Sequence, residues 1–522
     1  MKTLFLSLLR FGDLFTHMQI IDHYLKSNPR KKIHVLTNIE NQAATGILDK
    51  RIQWHFFKHR EWGLNAANPL VPRSKILCEV DKWLLSLSQE GFADLYNLTN
   101  TRLSAKIAGI LQAKNKFGVW LEGQSLQVSN PQWGHFSNSY LSRNKKLSFS
   151  SIELISKANN LNYPLPPENH KPETDLKLVV LQVSSNEKKK ELPLQVWQEF
   201  AATLESRDFQ VKVLCAPGEK SKLQPFLEPY LFEGEFVDFK EVILKANFLV
   251  SLDTAVLHLA ALLGVPSYGI YVGSGNAFTN FPHSAKARCL VSRQQCYPCS
   301  HRKPCVLAST ECSDPISAQI LDSFVFSERF SSANFLRAEV KFSSEKLELF
   351  FEGESMKAEM IERSVSRAVW EMFLEESYSL PLAPYGSVAN QIADEAKEHS
   401  FLLKKLLSQT ESALETTQNL KSQAKSLHHM ILKPTSEGLL KKLRSEMKLA
   451  LEESQLAKHE DECLALREVV QRDHESPFSF YRQLKKALFE TETVLNIRAT
   501  LLAKALLAIG EKTESKNLCL KN

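Results

Sequence analysis

Through roughly the first 330 positions, short apolar runs alternate with stretches whose apolar residues recur at helical spacing. Leu4–Leu9 is such a run; it ends at Phe11-Gly12-Asp13, and a helix through Ile20, Ile21 and Tyr24 follows. Ile33–Leu36 and Asp94–Leu98 read as further strands, with a helix from Arg102 to Gln112 after the second. Asn160–Thr174, rich in Asn, Pro and Glu, reads as a linker. The alternation then restarts: strands at Leu178–Val183, Val211–Leu214, Phe248–Ser251 and Ser267–Tyr271, with a helix over Pro193–Leu204. Strands alternating with helices predict parallel sheets covered on both faces. The expectation is two Rossmann-like, doubly wound α/β domains with a cleft between them, at 1–160 and 176–330, joined by a linker at 161–175. Val340–Phe342 and Leu347–Phe351 resemble a hairpin within a small segment at 331–380. Residues 381–522 are poor in Gly and read as a helical bundle or coiled coil, with 3-4 spacing from Leu403 through Thr410, Thr417 and Leu427, a break at Lys433-Pro434, and a last helix over Phe478–Ile509.

Composition changes this picture little. With 65 basic and 59 acidic residues the formal charge is +6, too small an excess to point to nucleic acid. The first ten residues are interrupted by Arg10 and lack a cleavage site, so they read as a buried strand rather than a leader. No apolar run is long enough to span a bilayer. The chain is therefore expected in the cytoplasm, with any membrane contact peripheral at the inner face.

Three stretches carry candidate chemistry. In Ser251–Pro266 a strand delivers Asp253 and Thr254 to the start of a helix, whose unpaired N–H groups suit a diphosphate. Ala255 permits close approach, and His258 follows one turn on. The alternative is a simple helix cap with a satisfied core histidine. Gly12-Asp13 ends the first strand at a helix start, where Asp13 is either an N-terminal cap or a base for a sugar hydroxyl. Lys190, in a loop after Leu178–Val183, can reach a phosphate, although Lys188 and Lys189 adjoin it.

Taken together and in this order, Gly12-Asp13, Lys190-Glu191-Leu192-Pro193 and Asp253 through Pro266 resemble glycosyltransferase family 9, the bacterial ADP-heptose:lipopolysaccharide heptosyltransferases. Asp94–Ser104 and the turn Gly273-Ser274 extend the likeness over about residues 1–325. The resemblance implies a GT-B fold and transfer with inversion at the anomeric carbon, without a catalytic metal. Asp13 would be the general base. Lys190, Asp253, Thr254, Ala255, His258, Gly273 and Ser274 would form the donor side, and Gly12 and Arg102 the acceptor side. Apart from the resemblance, Arg60 is a candidate for the acceptor side, where an arginine can pair with a carboxylate or phosphate, with an exposed loop arginine as the favoured alternative. Two departures stand out: Ala255 replaces the motif's glycine, and Leu192 its tryptophan. The implied partners are a nucleotide-diphosphate sugar such as ADP-heptose and a lipid-linked or surface glycan.

Five of the nine cysteines fall between Cys289 and Cys312. Cys296-x-x-Cys299 with Cys305 and Cys312 is a candidate structural zinc knuckle, against reduced structural thiols as the alternative. Two other functional readings stand beside the leading one: the same enzyme class acting on a protein, recruited or self-assembled through the C-terminal helices, and a degenerate nucleotide-binding scaffold.

Overall fold

Two parallel sheets organise the first 352 residues, which form one compact unit; residues 353–522 form a second. The computed structural model describes residues 1–428 apart from 69, 142–148, 169, 173–175, 302–303, 306–311, 344–345, 354–356, 376–382 and 397–399, together with residues 445 and 477–509. The strands of the first sheet are β1 (Lys2–Ser7), β2 (Lys32–Asn38), β3 (Gln53–Phe57), β4 (Phe92–Asn97) and β5 (Ala113–Phe117), in the order β3-β2-β1-β4-β5. All pair in parallel. β1 is almost wholly buried, as a central parallel strand covered on both faces must be. A two-stranded hairpin, β6 (Val119–Glu122) and β7 (Ser125–Val128), leans on the helix Arg102–Ile110.

The second sheet contains β8 (Leu178–Gln182), β9 (Gln210–Cys215), β10 (Leu231–Glu233), β11 (Phe248–Leu252), β12 (Ser267–Tyr271), β13 (Ala287–Ser292), β14 (Phe335–Ser343) and β15 (Lys346–Phe351). Its order is β10-β9-β8-β11-β12-β13-β14-β15. The first six are parallel and follow the doubly wound nucleotide-binding order. β14 and β15 add antiparallel at one edge. The hairpin expected inside a separate segment at 331–380 therefore belongs to the second lobe. Five of the six residues of β13 are buried, so it offers a well-covered neighbour for the hairpin to extend the sheet. Two parallel α/β lobes make this a GT-B type architecture.

Sheet order places the site. In each lobe the chain reverses winding beside its first strand: between β1 and β4 in one, between β8 and β11 in the other. Crevices form at the carboxyl ends of strands at such a switch point. Gly12-Asp13 follows β1, Arg102 follows β4, Lys190 follows β8 and Asp253 follows β11.

The second unit is helical: Lys357–Leu374, Ala383–Ala396, Ser400–His428 and Pro477–Ala508. Leu403, Leu406, Thr410, Ala413, Thr417, Leu420 and Ala424 are all buried, so the 3-4 spacing is a packing seam. Polar seam positions are satisfied locally: Thr410 and Thr417 each donate to the carbonyl four residues earlier. The break at Lys433-Pro434 lies outside the described residues. Among the described residues no helix is long and apolar enough to cross a membrane.

Candidate active site

The turn after β1 and the helix Ala255–Leu262 meet face to face. A Cβ built on Gly12 would lie 3.5 Å from His258 Cδ2 and 3.6 Å from Ala255 Cα. The expected open cleft is thus closed at this point, with the backbone of residue 12 lying against the helix start. Around it Phe11 and Phe15 pack on Phe236 of the other lobe, at 4.6 and 5.5 Å between ring centroids. Lys240 Nζ donates to the Ile47 carbonyl across the same boundary at 2.8 Å. Apolar rings exclude water there, which strengthens the electrostatics beside them.

Asp13 occupies the third position of the helix Phe11–Ser27, and its Oδ2 accepts from the Arg10 backbone N–H at 3.2 Å. That is the capping arrangement, and the carboxylate is also close enough to feel the charge of Asp253 in the opposite lobe. Burial raises its pKa above the usual carboxylate value; the Arg10 amide and guanidinium oppose the rise, and Asp253 adds to it. A carboxylate so placed holds a proton more readily than one in water.

On the other lobe Thr254 is the N-cap residue of Ala255–Leu262, but its side chain makes no cap bond. It meets Ser251 Oγ instead, at 3.2 Å. The cap reading therefore fails for Thr254, and the first amides of the helix are not taken by its hydroxyl. Lys190 Nζ donates to Asp253 Oδ2 at 2.8 Å, with both side chains nearly buried. His258 Nε2 lies 3.9 Å from Asp253 Oδ1, and burial lowers the His258 pKa, so the ring is neutral near pH 7. Lys190, rather than its neighbours, is the inward lysine. Lys189 Nζ donates to the Ser300 carbonyl at 2.5 Å.

Gly273 has φ +59°, and a Cβ there would lie 2.1 Å from the Lys189 carbonyl oxygen, so only glycine fits against the lysine loop. Ser274 donates to Glu187 at 2.6 Å, and Glu187 also pairs with His301 at 2.9 Å. Despite partial burial, these bonds and Lys190 hold the Glu187 pKa down to about 2. Glu187 was not picked out in the sequence. Its only signal there is a lone acid in the polar loop between β8 and the lysines.

Other expected residues sit elsewhere. Arg60 is largely exposed and pairs with Glu40 at 3.3 Å, and no described contact ties it to the facing lobe. It lies in the helix His59–Ala67 that follows β3, an edge strand away from the switch point. Arg102 lines a groove of about 880 Å³ between its helix and the β6–β7 hairpin, together with Lys106 and Glu122. Leu192 is buried in the core of the second lobe. Burial raises the pKa of Cys299 and Cys312, and the neighbouring thiols of Cys296 and Cys305 add to the rise at both, as that of Cys299 does at Cys312. Yet among the described residues no three His, Cys, Asp or Glu side chains are placed to hold a metal ion. The thiols share a neighbourhood without forming such a group among the described residues. Instead the knuckle braces the donor side, the Cys299 N–H donating to the Gly273 carbonyl at 2.9 Å.

Residues 82–308 match the model of glycosyltransferase family 9 (heptosyltransferase). Over this stretch the chain is similar to family 9 glycosyltransferases. The family 9 match covers less than half of the chain, taking in Lys190, Asp253–His258 and Gly273-Ser274 while beginning after Gly12-Asp13. Among solved structures, E. coli heptosyltransferase WaaC with ADP is similar at 15% identity and TM-score 0.45, covering 62% of this chain and 99% of that one. A Veillonella parvula family 9 glycosyltransferase is similar at 15% identity and TM-score 0.42, covering 56% and 87%. The iron-containing dodecameric glycosyltransferase TibC from enterotoxigenic E. coli is similar at 12% identity and TM-score 0.35, covering 62% and 76%. No curated protein sequence matches.

Proposed function

We propose that this family 9 module transfers a heptose or related sugar from a nucleoside diphosphate, ADP-heptose in the first instance, to a lipopolysaccharide core or other surface glycan, with inversion. The observation that carries the reading is the apposition of the Gly12-Asp13 turn and the uncapped helix start at Ala255, each at its lobe's switch point. The lobes part to admit the donor, whose diphosphate lies along the Ala255 and Val256 amides. Lys190 turns from Asp253 to the phosphates. Asp13 takes the proton of the acceptor hydroxyl as that oxygen bonds to the anomeric carbon, and the bond from that carbon to phosphate breaks on the opposite face. The developing negative charge meets the lysine and helix N–H groups already oriented toward it. The acceptor approaches past the groove of Arg102 and Lys106, which form no ion pair among the described residues. We propose further that the reaction runs in the cytoplasm, with any membrane contact peripheral at the inner face.

The test is a donor screen with the purified chain, reading nucleotide release with and without core oligosaccharide. ADP-heptose with acceptor is expected to give release, and Asp13→Ala to abolish it. Absence of release with every donor, together with absence of nucleotide binding, overturns the reading in favour of a scaffold. A protein acceptor is the second reading, favoured by a helical unit that forms a body of its own outside the matched stretch. Sugar incorporated into protein, not glycan, by the full chain would establish it.

A further inference from the structure

Behind the donor-side histidine lies a second, buried histidine that the proposed mechanism does not use. His283 follows the short helix Ala277–Asn280, is 1% exposed, and packs at a tilt against Tyr163 with 5.2 Å between ring centroids. Apart from an interaction with its own backbone, neither ring nitrogen has a hydrogen-bond partner. An imidazole buried in this state is costly, since an unmet polar group forfeits its hydration. His283 lines a cavity of about 10 Å³ shared with His258, Thr16, Ser150 and Thr279. That is the volume one water centre requires, and the lining offers more than the two polar partners a buried water needs. Thr16 donates to the Gly12 carbonyl at 3.0 Å, so the same cavity also touches the turn that carries Asp13.

We infer that His283 is a positioning residue for His258, acting through a single water held between the two rings. The geometry gives the chain of bonds a direction. His258 Nε2 is turned to Asp253 Oδ1 at 3.9 Å, which leaves Nδ1 for the water. A neutral His283 donates its N–H to the water, the water donates to His258 Nδ1, and His258 keeps its proton on Nε2. The imidazole thereby presents an N–H, not a lone pair, on the side of Asp253 and the diphosphate site. The use made of that N–H rests on the transferase reading; the tautomer itself does not.

The experiment is nitrogen NMR of the full chain carrying ¹⁵N-histidine, with the His258 signals assigned by their loss in His258→Gln. The unsubstituted protein is expected to show His258 as a single tautomer protonated at Nε2. His283→Phe is expected to move it toward a mixture, and His283→Gln, which keeps a donor, to preserve it. A tautomer protonated at Nδ1, or one unchanged in His283→Phe, overturns the inference. If His283→Phe does not fold, a crystal structure of the unsubstituted protein at a resolution that shows waters decides: density within bonding distance of both rings supports the relay, and a dry cavity overturns it. ADP affinity measured alongside should fall about tenfold in His283→Phe and be retained in His283→Gln. A chain that binds no ADP but shows the predicted tautomers sinks the transferase reading and leaves this one standing.

Discussion

Asp253 sits among three groups that compete for it: Lys190 bonds one oxygen, His258 approaches the other, and Asp13 repels it across the lobe boundary. Removing the lysine leaves two neighbouring carboxylates and no cation for the donor. Lys190→Ala is therefore expected to weaken ADP binding by roughly 10- to 100-fold, the usual worth of a charge-assisted bond, as read by calorimetry. Asp13 must be ionised to accept a proton, and its pKa is raised above 3.8. The rate kcat/KM should accordingly climb with pH on an acid limb lying above that value, and the limb should vanish in Asp13→Asn along with most of the activity. Both residues were legible as candidates in the sequence, because a strand followed at once by a helix start marks a sheet's carboxyl edge. Their alternatives were not resolved there. A cap and a base differ only in what faces them, and Thr254's missing cap bond and Asp13's opposing lobe are tertiary facts.

At the scale of elements, β1, β8 and β11 announced themselves as mostly apolar runs and β4 as a shorter run broken by Asp94 and Asn97, and these four strands lead into the site. The edge strands β3 and β5 did not. Gln-Trp-His-Phe-Phe and Ala-Lys-Asn-Lys-Phe mix polar residues into every face because an edge strand is only half covered. Hairpin β14–β15 was visible as strands, but its membership of the second sheet depends on β13, whose run adjoins the cysteine cluster. The lysine loop and the glycine turn form one brace: Gly273→Ala forces a side chain against the Lys189 carbonyl in a left-handed backbone. The substitution should cost about 1–3 kcal/mol and lower donor affinity as the loop shifts, checked by chemical denaturation and ADP titration. Gly12→Ala differs. Its methyl would meet His258 and Ala255 at ordinary contact distance, so stability should change by less than about 1 kcal/mol. Any loss of activity would then report crowding of the donor phosphates.

Across the molecule, two compact units imply two thermal or denaturant transitions, and they can be perturbed separately. Arg498 is 1% exposed in the helical unit, where it bonds Thr410 Oγ1 and pairs with Glu362, each at 3.3 Å. Truncating a buried, partnered guanidinium typically costs about 3–5 kcal/mol, so Arg498→Ala should lower the transition of that unit while ADP binding persists. The first unit carries its own pH signature. His17 and His283 are buried, with pKa values lowered from 6.5 to about 4 and about 3. The unfolded chain binds protons there that the native one does not, so the stability of this unit is full above pH 6.5 and is lost as pH falls toward 3 to 4. What unites these parts is the closed meeting of two helix starts at one crevice, and a structure of the chain with ADP tests it most directly. The account predicts the diphosphate on the Ala255 and Val256 amides, with Lys190 moved from Asp253 to a phosphate oxygen and Gly12-Asp13 drawn back from Ala255. A nucleotide bound away from that helix start, with the Lys190–Asp253 pair undisturbed, would contradict it.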